Sequence, residues 1–244
     1  MPLNPIEEEK FAALRKNCRD LGVPAPPEIH IGFEVKDKNG ILLFEDKQRG
    51  HSWTRNFYNS LIGMLFYGKG SEDSTFGAGH IQNAKDTAGT VRKDDGAGCI
   101  WYPSQYYTAT SAYNSGAGSD DNGILVGSGN TAFSVEQYKL ATDITHGTSV
   151  GNLSYAATEA HVFTYDSTAD AEKWETTLKR VFNNNSGASI TVSEIGLIGK
   201  GRFFYTGDAY YMTERSVLDP TVTVPDGAQL TVSYDISMDF SAID

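Results

Sequence analysis

The 244-residue chain contains 25 glycines, 13 tyrosines and 12 phenylalanines, a composition that favours strands and turns over long helices. Its hydrophobic fraction of 39% suffices for a core, whereas its formal charge of −11 at pH 7 argues against nucleic-acid binding, because phosphate contacts need clustered Lys and Arg. The sequence shows neither a long apolar segment nor an apolar leader, so we expect neither a membrane span nor export by the general route.

The first predicted element is a helix over residues 4–21. Asn4 can cap its start, Pro5 suits the first helical position, and Gly22 ends it. Its apolar residues recur three or four positions apart and therefore lie on one narrow stripe suited to a single partner. The stripe contains Phe11, Leu14, Cys18 and Leu21.

Residues 23–27 contain three prolines and are expected to form a stiff, extended spacer. We therefore expect residues 1–27 to form a helical arm with a proline spacer, and residues 28–244 to form a single domain. The helix has two possible positions. It either folds back on its own domain or docks as an arm on a neighbouring subunit.

The next elements are a hairpin, a helix and a long loop region. Residues 29–35 alternate apolar and polar side chains, and the turn at residues 39–40 predicts that they pair with residues 41–44. A broad apolar stripe over residues 53–67 predicts a second, mostly buried helix. Residues 68–123 are instead rich in Gly, Ser, Asp and Asn, which predicts long loops.

Four tyrosines in these loops lie among Ser, Gly and Asn, a composition that binding loops use to gain contact area. They are Tyr102, Tyr106, Tyr107 and Tyr113. Their side chains either contact a partner or pin the loops to their own domain, because tyrosine suits both roles.

The clearest pattern runs from residue 174 to residue 240 and predicts consecutive antiparallel strands. Residues 230–239 alternate strictly between apolar and polar side chains, as in a strand with one buried face. Turn residues at positions 183–187 and 225–227 predict two more hairpins, and a shift of the alternation near Glu194 predicts a β-bulge. About five such strands bury only one face of a sheet, so a second layer must cover them.

These elements together predict a mainly β fold. We expect an antiparallel, jelly-roll-like β-sandwich with an N-terminal helix and one internal buried helix, and the loops at residues 68–123 belong to the same domain. Cys18 and Cys99 are too few for a disulfide framework, so we expect free thiols.

Three possible ligand-binding features have a simpler structural explanation. Residues 127–132 fit a glycine-rich dinucleotide turn, but no long helix and no parallel β-α-β unit follow them. The acidic residues at 94–95 and 120–122 lack the alternating spacing of a calcium loop. The five histidines occur singly, without the paired spacing of zinc sites.

Glu194 could be a catalytic carboxylate, but Arg180 and Arg215 on expected neighbouring strands favour a structural ion pair. No serine nucleophile motif is found. The sequence therefore assigns no catalytic residue, no cofactor and no metal ligand.

Three segments resemble poorly characterised virion proteins of tailed bacteriophages. They span residues 123–147 (GILVGSGNTAFSVEQYKLATDITHG), 178–199 (LKRVFNNNSGASITVSEIGLIG) and 214–238 (ERSVLDPTVTVPDGAQLTVSYDISM). A weaker match covers residues 51–59 (HSWTRNFYN), and the four segments follow the order found in that group. The resemblance implies a structural virion protein on the capsid surface, neck or tail, and it carries over no catalytic residues.

We therefore expect a non-enzymatic virion protein that forms a homo-oligomer and also contacts other virion proteins. The expected interface residues are Phe11, Leu14 and Leu21 on the helix and Tyr102, Tyr106, Tyr107 and Tyr113 in the loops. The alternative is a carbohydrate- or receptor-binding module of a tail, in which the same tyrosines contact a host-surface glycan. A glycan-degrading enzyme would instead need two opposed carboxylates in a cleft.

Overall fold

The structure is a computed structural model that describes residues 4–23, 25–50, 53–65, 84–92, 112–168, 172–203 and 207–240. The helices in these ranges are α1 (Pro5–Asp20) and α2 (Arg55–Leu65). The strands are β1 (Glu28–Lys36), β2 (Leu42–Arg49), β3 (Ala84–Lys85), β4 (Val91–Arg92), β5 (Gly123–Gly127), β6 (Ser154–Tyr155), β7 (Val162–Asp166), β8 (Lys173–Asn183), β9 (Ile190–Phe203), β10 (Gly207–Val224) and β11 (Gln229–Asp239).

Helix α1 begins and ends where its capping residues predict. The Asn4 side-chain oxygen accepts a hydrogen bond from the Ile6 backbone N–H at 3.1 Å, and Pro5 occupies the first turn, where its missing N–H costs nothing. Gly22 follows the helix with a φ of +65°, a conformation that favours glycine. The helix predicted over residues 4–21 is therefore confirmed.

Six strands form the large sheet, in the order β2-β1-β11-β8-β6, with β7 also paired to β8. Strands β1 and β2 form the predicted hairpin around residues 39–40, where Gly40 has a φ of +82°. Strand β1 also pairs antiparallel with β11, so that Ile31 lies opposite Tyr234. Along β1 and β11 the side chains alternate between buried and more exposed positions. One face of the large sheet therefore meets the core, and the other is an outer face.

Strands β10, β9 and β5 form the small sheet, in that order. Its buried side chains share one core with those of the large sheet, for example Ile124 and Ile195 with Ile31 and Val232. The two sheets thus form a β-sandwich, and β3 and β4 form a separate two-stranded sheet. The predicted fold class, a mainly antiparallel β fold with an N-terminal helix and one internal helix, is confirmed.

Helix α2 begins two residues later than predicted and is anchored by polar rather than apolar groups at its start. The Thr54 hydroxyl donates a hydrogen bond to the Met212 backbone oxygen at 2.6 Å, and the Asn56 side-chain amide donates to the same oxygen at 3.1 Å. Both polar residues are buried. The apolar stripe over residues 53–67 indicated the helix, but it gave no sign of this polar attachment to β10.

The two hairpins predicted at residues 183–187 and 225–227 are wrong. Strand β8 pairs with β11 and β9 pairs with β10, so each of these turns carries the chain from one sheet to the other. Buried Asn184 joins the two turns. Its side-chain amide donates to the Val224 backbone oxygen at 2.8 Å, and its backbone oxygen accepts from the Gly227 N–H at 2.7 Å. The turn residues predict the bends correctly. They do not predict that Asn184 links the two turns or that each turn connects strands of different sheets.

The shift of alternation near Glu194 corresponds to a change of register between β9 and β10. Glu194 lies opposite Val217, whereas Val192 lies opposite Val222. Strand β10 therefore contains more residues than β9 between these two pairs. The predicted bulge exists, but the extra residues lie on the partner strand.

Substitutions on β11 test the orientation of this central strand. Leu230 is fully buried opposite Val35 and Phe182, so Leu230→Asp should bury an unpaired carboxylate and lower the free energy of unfolding by roughly 3 kcal/mol or more. Ser233→Asp is the matched control, because Ser233 lies on the outer face of the same strand and its change should cost less than about 1 kcal/mol. Urea denaturation measures both. Equal losses would contradict the assigned core-facing side of β11.

Candidate functional site

Helix α1 lies on the outer face of the large sheet, with one side turned toward it. Its partly buried residues include Glu8, Phe11, Arg15 and Cys18, which are three or four positions apart, as one face of a helix requires. No residue of the helix is fully buried. The helix is therefore attached to the surface of the sandwich and does not belong to its core.

Arg49, at the end of β2, is the centre of this attachment, and its side chain is only 2% exposed. Its Nε and Nη2 donate to the Glu8 carboxylate at 2.9 Å each, and its Nη1 donates to Glu28 at 2.7 Å. The Phe11 ring centroid lies 3.8 Å from the guanidinium carbon, within range of a cation–π contact. Arg49 thus joins α1, β1 and β2 through charge-assisted hydrogen bonds.

Glu28, the first residue of β1, binds two arginines. Arg15 Nη1 lies 2.7 Å from both Glu28 carboxylate oxygens, in addition to the bond from Arg49. Burial raises the pKa of Glu28, but the hydrogen bonds from Arg49 and Arg15 outweigh burial and hold the pKa below its ordinary value. We refer to Glu8, Arg15, Glu28 and Arg49 as the α1 ion-pair cluster.

A groove of about 480 Å³ lies beside this cluster, between α1 and the outer face of the large sheet. Its lining includes further charged residues, namely Lys47, Lys173, Glu175, Asp235 and Asp239. Lys47 lies 3.1 Å from Asp235 and Lys173 lies 2.5 Å from Glu175, so these two carboxylates, like those of the cluster, have basic partners. The groove is therefore lined by carboxylates that are held by neighbouring basic groups.

The apolar stripe predicted for α1 is divided, because Phe11 and Cys18 face the sheet whereas Leu14 and Leu21 are exposed. Leu14 and Leu21, two of the predicted interface residues, have exposed fractions of 38% and 76%. Ile6, at the start of the helix, is 65% exposed. Phe11, the third predicted interface residue on this helix, instead contacts Arg49. These exposed apolar residues make α1 a candidate contact surface.

The predicted tyrosine surface is only partly covered by the structure. Tyr102, Tyr106 and Tyr107 lie outside the described residues. Tyr113 is buried, and its hydroxyl lies 3.0 Å from the Thr213 hydroxyl. Burial raises the pKa of Tyr113 far above its ordinary value, so this phenol stays protonated. Tyr113 therefore anchors its own chain, one of the two roles considered for these tyrosines, and it is not at the surface.

Glu194 forms the predicted structural ion pair with Arg215, and both side chains are fully buried. Arg215 Nε donates to Glu194 Oε2 at 2.6 Å. The backbone N–H groups of Gly129 and Thr142 donate to Oε1 at 3.0 and 2.8 Å, and that of Ala141 donates to Oε2 at 3.0 Å. Four donors therefore bind this carboxylate and offset the cost of burying it.

The glycine-rich turn at residues 127–132 wraps around the same carboxylate. A Cβ added at Gly127 would lie 2.7 Å from Glu194 Oε1, and one at Gly129 would clash with the same oxygen. The glycines are therefore needed for this close approach, which accounts for the motif without a dinucleotide. Arg180, the other arginine considered as a partner, lies in the large sheet and donates to backbone oxygens instead.

Glu214 is a fully buried carboxyl group that no sequence motif indicated. The Tyr234 hydroxyl donates to it at 2.7 Å and the Ser216 hydroxyl at 2.5 Å. Burial raises the pKa of Glu214 to about 7, and these two hydrogen bonds oppose that shift only in part. The sequence does place two charged residues, Glu214 and Arg215, next to each other on one strand. Neighbouring strand residues point to opposite faces, so one of the two charges must face the core if either face is covered. Their burial becomes predictable only once both faces are known to be covered.

Removing Arg49 should release α1 from the sheet. Arg49→Met removes both hydrogen bonds from Arg49 to Glu8 and weakens the pairing of Glu28, so the free energy of unfolding should fall by about 2 kcal/mol. Lys16→Ala is the control, since the Lys16–Asp20 pair is exposed and its loss should cost about 0.5 kcal/mol or less. Hydrogen exchange of residues 5–20 is the second readout. If exchange in α1 is as slow in Arg49→Met as in the control, the cluster does not hold the helix.

The raised pKa of Glu214 predicts that the free energy of unfolding depends on pH. Its folded-state pKa of about 7 lies above the ordinary 4.5, so the folded state binds the proton more tightly. The free energy of unfolding should therefore fall as pH rises through this window, by up to about 3 kcal/mol from this group. Glu214→Gln should flatten that dependence, whereas Glu159→Gln, at an exposed position, should not. Denaturant titrations from acidic to neutral pH measure the slopes, and identical slopes in all three proteins would refute the assignment.

The described part of the chain contains no other group that points to a ligand. No cluster of three or more His, Cys, Asp or Glu side chains there could hold a metal ion. None of the described helices has the length and apolar character needed to cross a membrane. Comparison of the chain with protein-family models, with curated proteins and with solved structures finds no match. The α1 ion-pair cluster and the exposed side of α1 are therefore the best candidate site among the described residues.

Proposed function

We propose that this chain is a non-enzymatic structural component of a tailed-bacteriophage virion, assembled in multiple copies through helix α1. The observation that carries the proposal is the division of contacts on this helix. The α1 ion-pair cluster holds one side, while Ile6, Leu14 and Leu21 remain exposed. A helix held in this way can bind its own sheet and a neighbouring subunit at the same time.

The two sides of α1 would contribute differently to assembly. Fully burying a leucine or isoleucine side chain stabilises a contact by about 1.5–3 kcal/mol. Covering Leu14, Leu21 and Ile6 with a neighbouring molecule would therefore supply most of the affinity. Charged groups at a partly exposed contact contribute less net free energy, but they define the orientation of the helix.

The virion role is supported by the sequence resemblance, which involves other parts of the chain. Residues 123–147 include β5 and the turn around Glu194, residues 178–199 join β8 to β9, and residues 214–238 join β10 to β11. The resembling segments therefore build both crossings between the sheets. Helix α1 lies outside them, so assembly through α1 and the virion role are supported by separate observations.

The chemistry of the buried acids favours a structural role over catalysis. Glu194 accepts four hydrogen bonds from its own chain, and Glu214 accepts two hydroxyl groups within the core. Such carboxylates stabilise one arrangement of strands and loops. The burial of Tyr113 also weakens the glycan-binding alternative, because it removes one of the four tyrosines on which that alternative depends.

Particles of the encoding phage provide the test. Quantitative mass spectrometry of purified wild-type particles should detect this chain in multiple copies. Leu14→Ser with Leu21→Ser removes the exposed leucine of α1 and the one that follows its last residue, and should reduce that copy number severalfold. Ala12→Ser with Ala13→Ser is the matched control, because both alanines are exposed on the same helix and the change adds the same two hydroxyl groups.

The outcomes of this measurement separate the two parts of the proposal. Absence of the chain from wild-type particles would refute the virion role. Normal copy number in the Leu14→Ser and Leu21→Ser variant, with the chain present in wild-type particles, would refute assembly through α1.

A further inference from the structure

Strand β7 is an exposed edge of the large sheet with apolar side chains on both of its faces. It pairs with β8 on one side, and in the described residues no strand lies on its other side. Val162, Phe163 and Tyr165 have exposed fractions of 57%, 63% and 59%. An edge strand of this kind presents unpaired backbone N–H and C=O groups together with apolar side chains. It is therefore suited to accept another strand.

The opposite edge of the large sheet has a different character. Strand β2 begins with exposed Leu42 and Leu43, but it then exposes the charged side chains of Glu45 and Lys47. Charges on an edge strand oppose pairing with another chain, and natural sheets use them for that purpose. The charged residue of β7 is Asp166 at its end, and residues 162–165 are uncharged. Strand β7 is therefore the less charged of the two edges and the more open to a partner.

We propose that β7 pairs with β7 of a second copy of this chain, antiparallel and about a two-fold axis at Thr164. Every neighbouring pair from β2 across the sheet to β7 is antiparallel, so β2 and β7 run in the same direction. Adding the β2 of a next copy to β7 by simple translation would therefore create a parallel pair. A two-fold axis instead continues the antiparallel pattern of the sheet, and it gives a closed dimer.

The register about Thr164 brings aromatic residues together. Phe163 would lie opposite the partner's Tyr165, and Tyr165 would lie opposite the partner's Phe163. Both side chains share the core-facing side of the sheet with Trp174, which is paired with Tyr165 in the register of β7 and β8. The Phe163 and Trp174 ring centroids are already 6.4 Å apart. The second copy thus extends an aromatic cluster that one copy leaves half exposed.

The surface area that this contact can bury indicates how strongly the dimer should associate. Aromatic side chains bury 150–250 Å² each when fully covered, so two rings at about 60% exposure and Val162 offer roughly 300–400 Å² per copy. Stable complexes bury about 800 Å² per partner. The β7 dimer should therefore be weak and dependent on concentration. It deepens the proposed function, since it names a contact between copies, but it does not require the virion role.

Sedimentation equilibrium of the purified full chain tests the dimer. The wild-type protein should rise above the monomer mass of 26.6 kDa with increasing concentration, and Phe163→Lys with Tyr165→Lys should weaken dimerisation at least about tenfold. Val91→Lys with Val150→Lys is the matched control, because it replaces two exposed apolar residues elsewhere and adds the same charge. A wild-type chain that stays monomeric, or a β7 variant that dimerises like the control, would overturn the proposal.

Crosslinking tests the register independently of affinity. Directly opposite residues of an antiparallel pair have Cα atoms about 4.5–5.5 Å apart, which a disulfide can span. With Cys18 and Cys99 replaced by alanine, Thr164→Cys should therefore form a disulfide-linked dimer under mild oxidation. Val162→Cys should not, because the axis places it opposite the partner's Asp166. Equal crosslinking of the two variants, or none in either, would overturn the register and the axis.

The β7 and α1 contacts can be told apart in the same experiment. The Leu14→Ser and Leu21→Ser variant should retain the β7 dimer. Loss of the dimer in that variant would mean that α1, not β7, joins the copies, and would overturn the β7 contact while leaving assembly through α1 intact.

Discussion

The arrangement of the two sheets depends on one buried guanidinium group, that of Arg180. This side chain starts on β8 of the large sheet and donates hydrogen bonds to five backbone oxygens, at distances from 2.5 to 3.3 Å. The oxygens belong to Gly116, Ser119, Asn122, Ile124 and Ala156. Burial lowers the pKa of Arg180 to about 10, so it remains charged at neutral pH, and the carbonyl dipoles take the place of water around it. The hydrogen bonds of the Arg180 guanidinium therefore attach the segment that leads into β5 to the large sheet, and apolar core residues surround this contact.

Much of the fold was predictable from local pattern, whereas the pairing of strands was not. The alternation along β1 and β11, the caps of α1 and the turn between β1 and β2 are all signals that a few consecutive residues carry. The two crossings between the sheets use the same turn residues as hairpins do, and the difference lies in Asn184, which contacts residues about 40 positions away. Turn chemistry determines where the chain bends but not which strand it meets next.

In the candidate site, too, local features were predictable from the sequence and contacts between distant residues were not. The apolar stripe of α1 was visible in the sequence, but the α1 ion-pair cluster draws on the helix, β1 and β2, and nothing local relates Glu8 to Arg49. The Glu194–Arg215 pair was predicted because a buried charge needs a partner. Glu214 was missed because its partners, Tyr234 and Ser216, are uncharged groups of the core. Sequence reasoning thus recognises charge pairing more readily than neutral hydrogen-bond networks.

The position of β1 has a consequence for how the protein is made. This strand is synthesised well before its neighbour β11, since Glu28 lies opposite Ser237 about 200 positions later. The β1–β2 hairpin must therefore wait while about 200 further residues are synthesised, with the side of β1 that pairs with β11 still open. Such distant pairing slows folding, because a long loop must close before the contact forms. Final assembly of the large sheet is consequently a late event, and during synthesis the nascent hairpin is the segment most in need of protection from neighbouring chains.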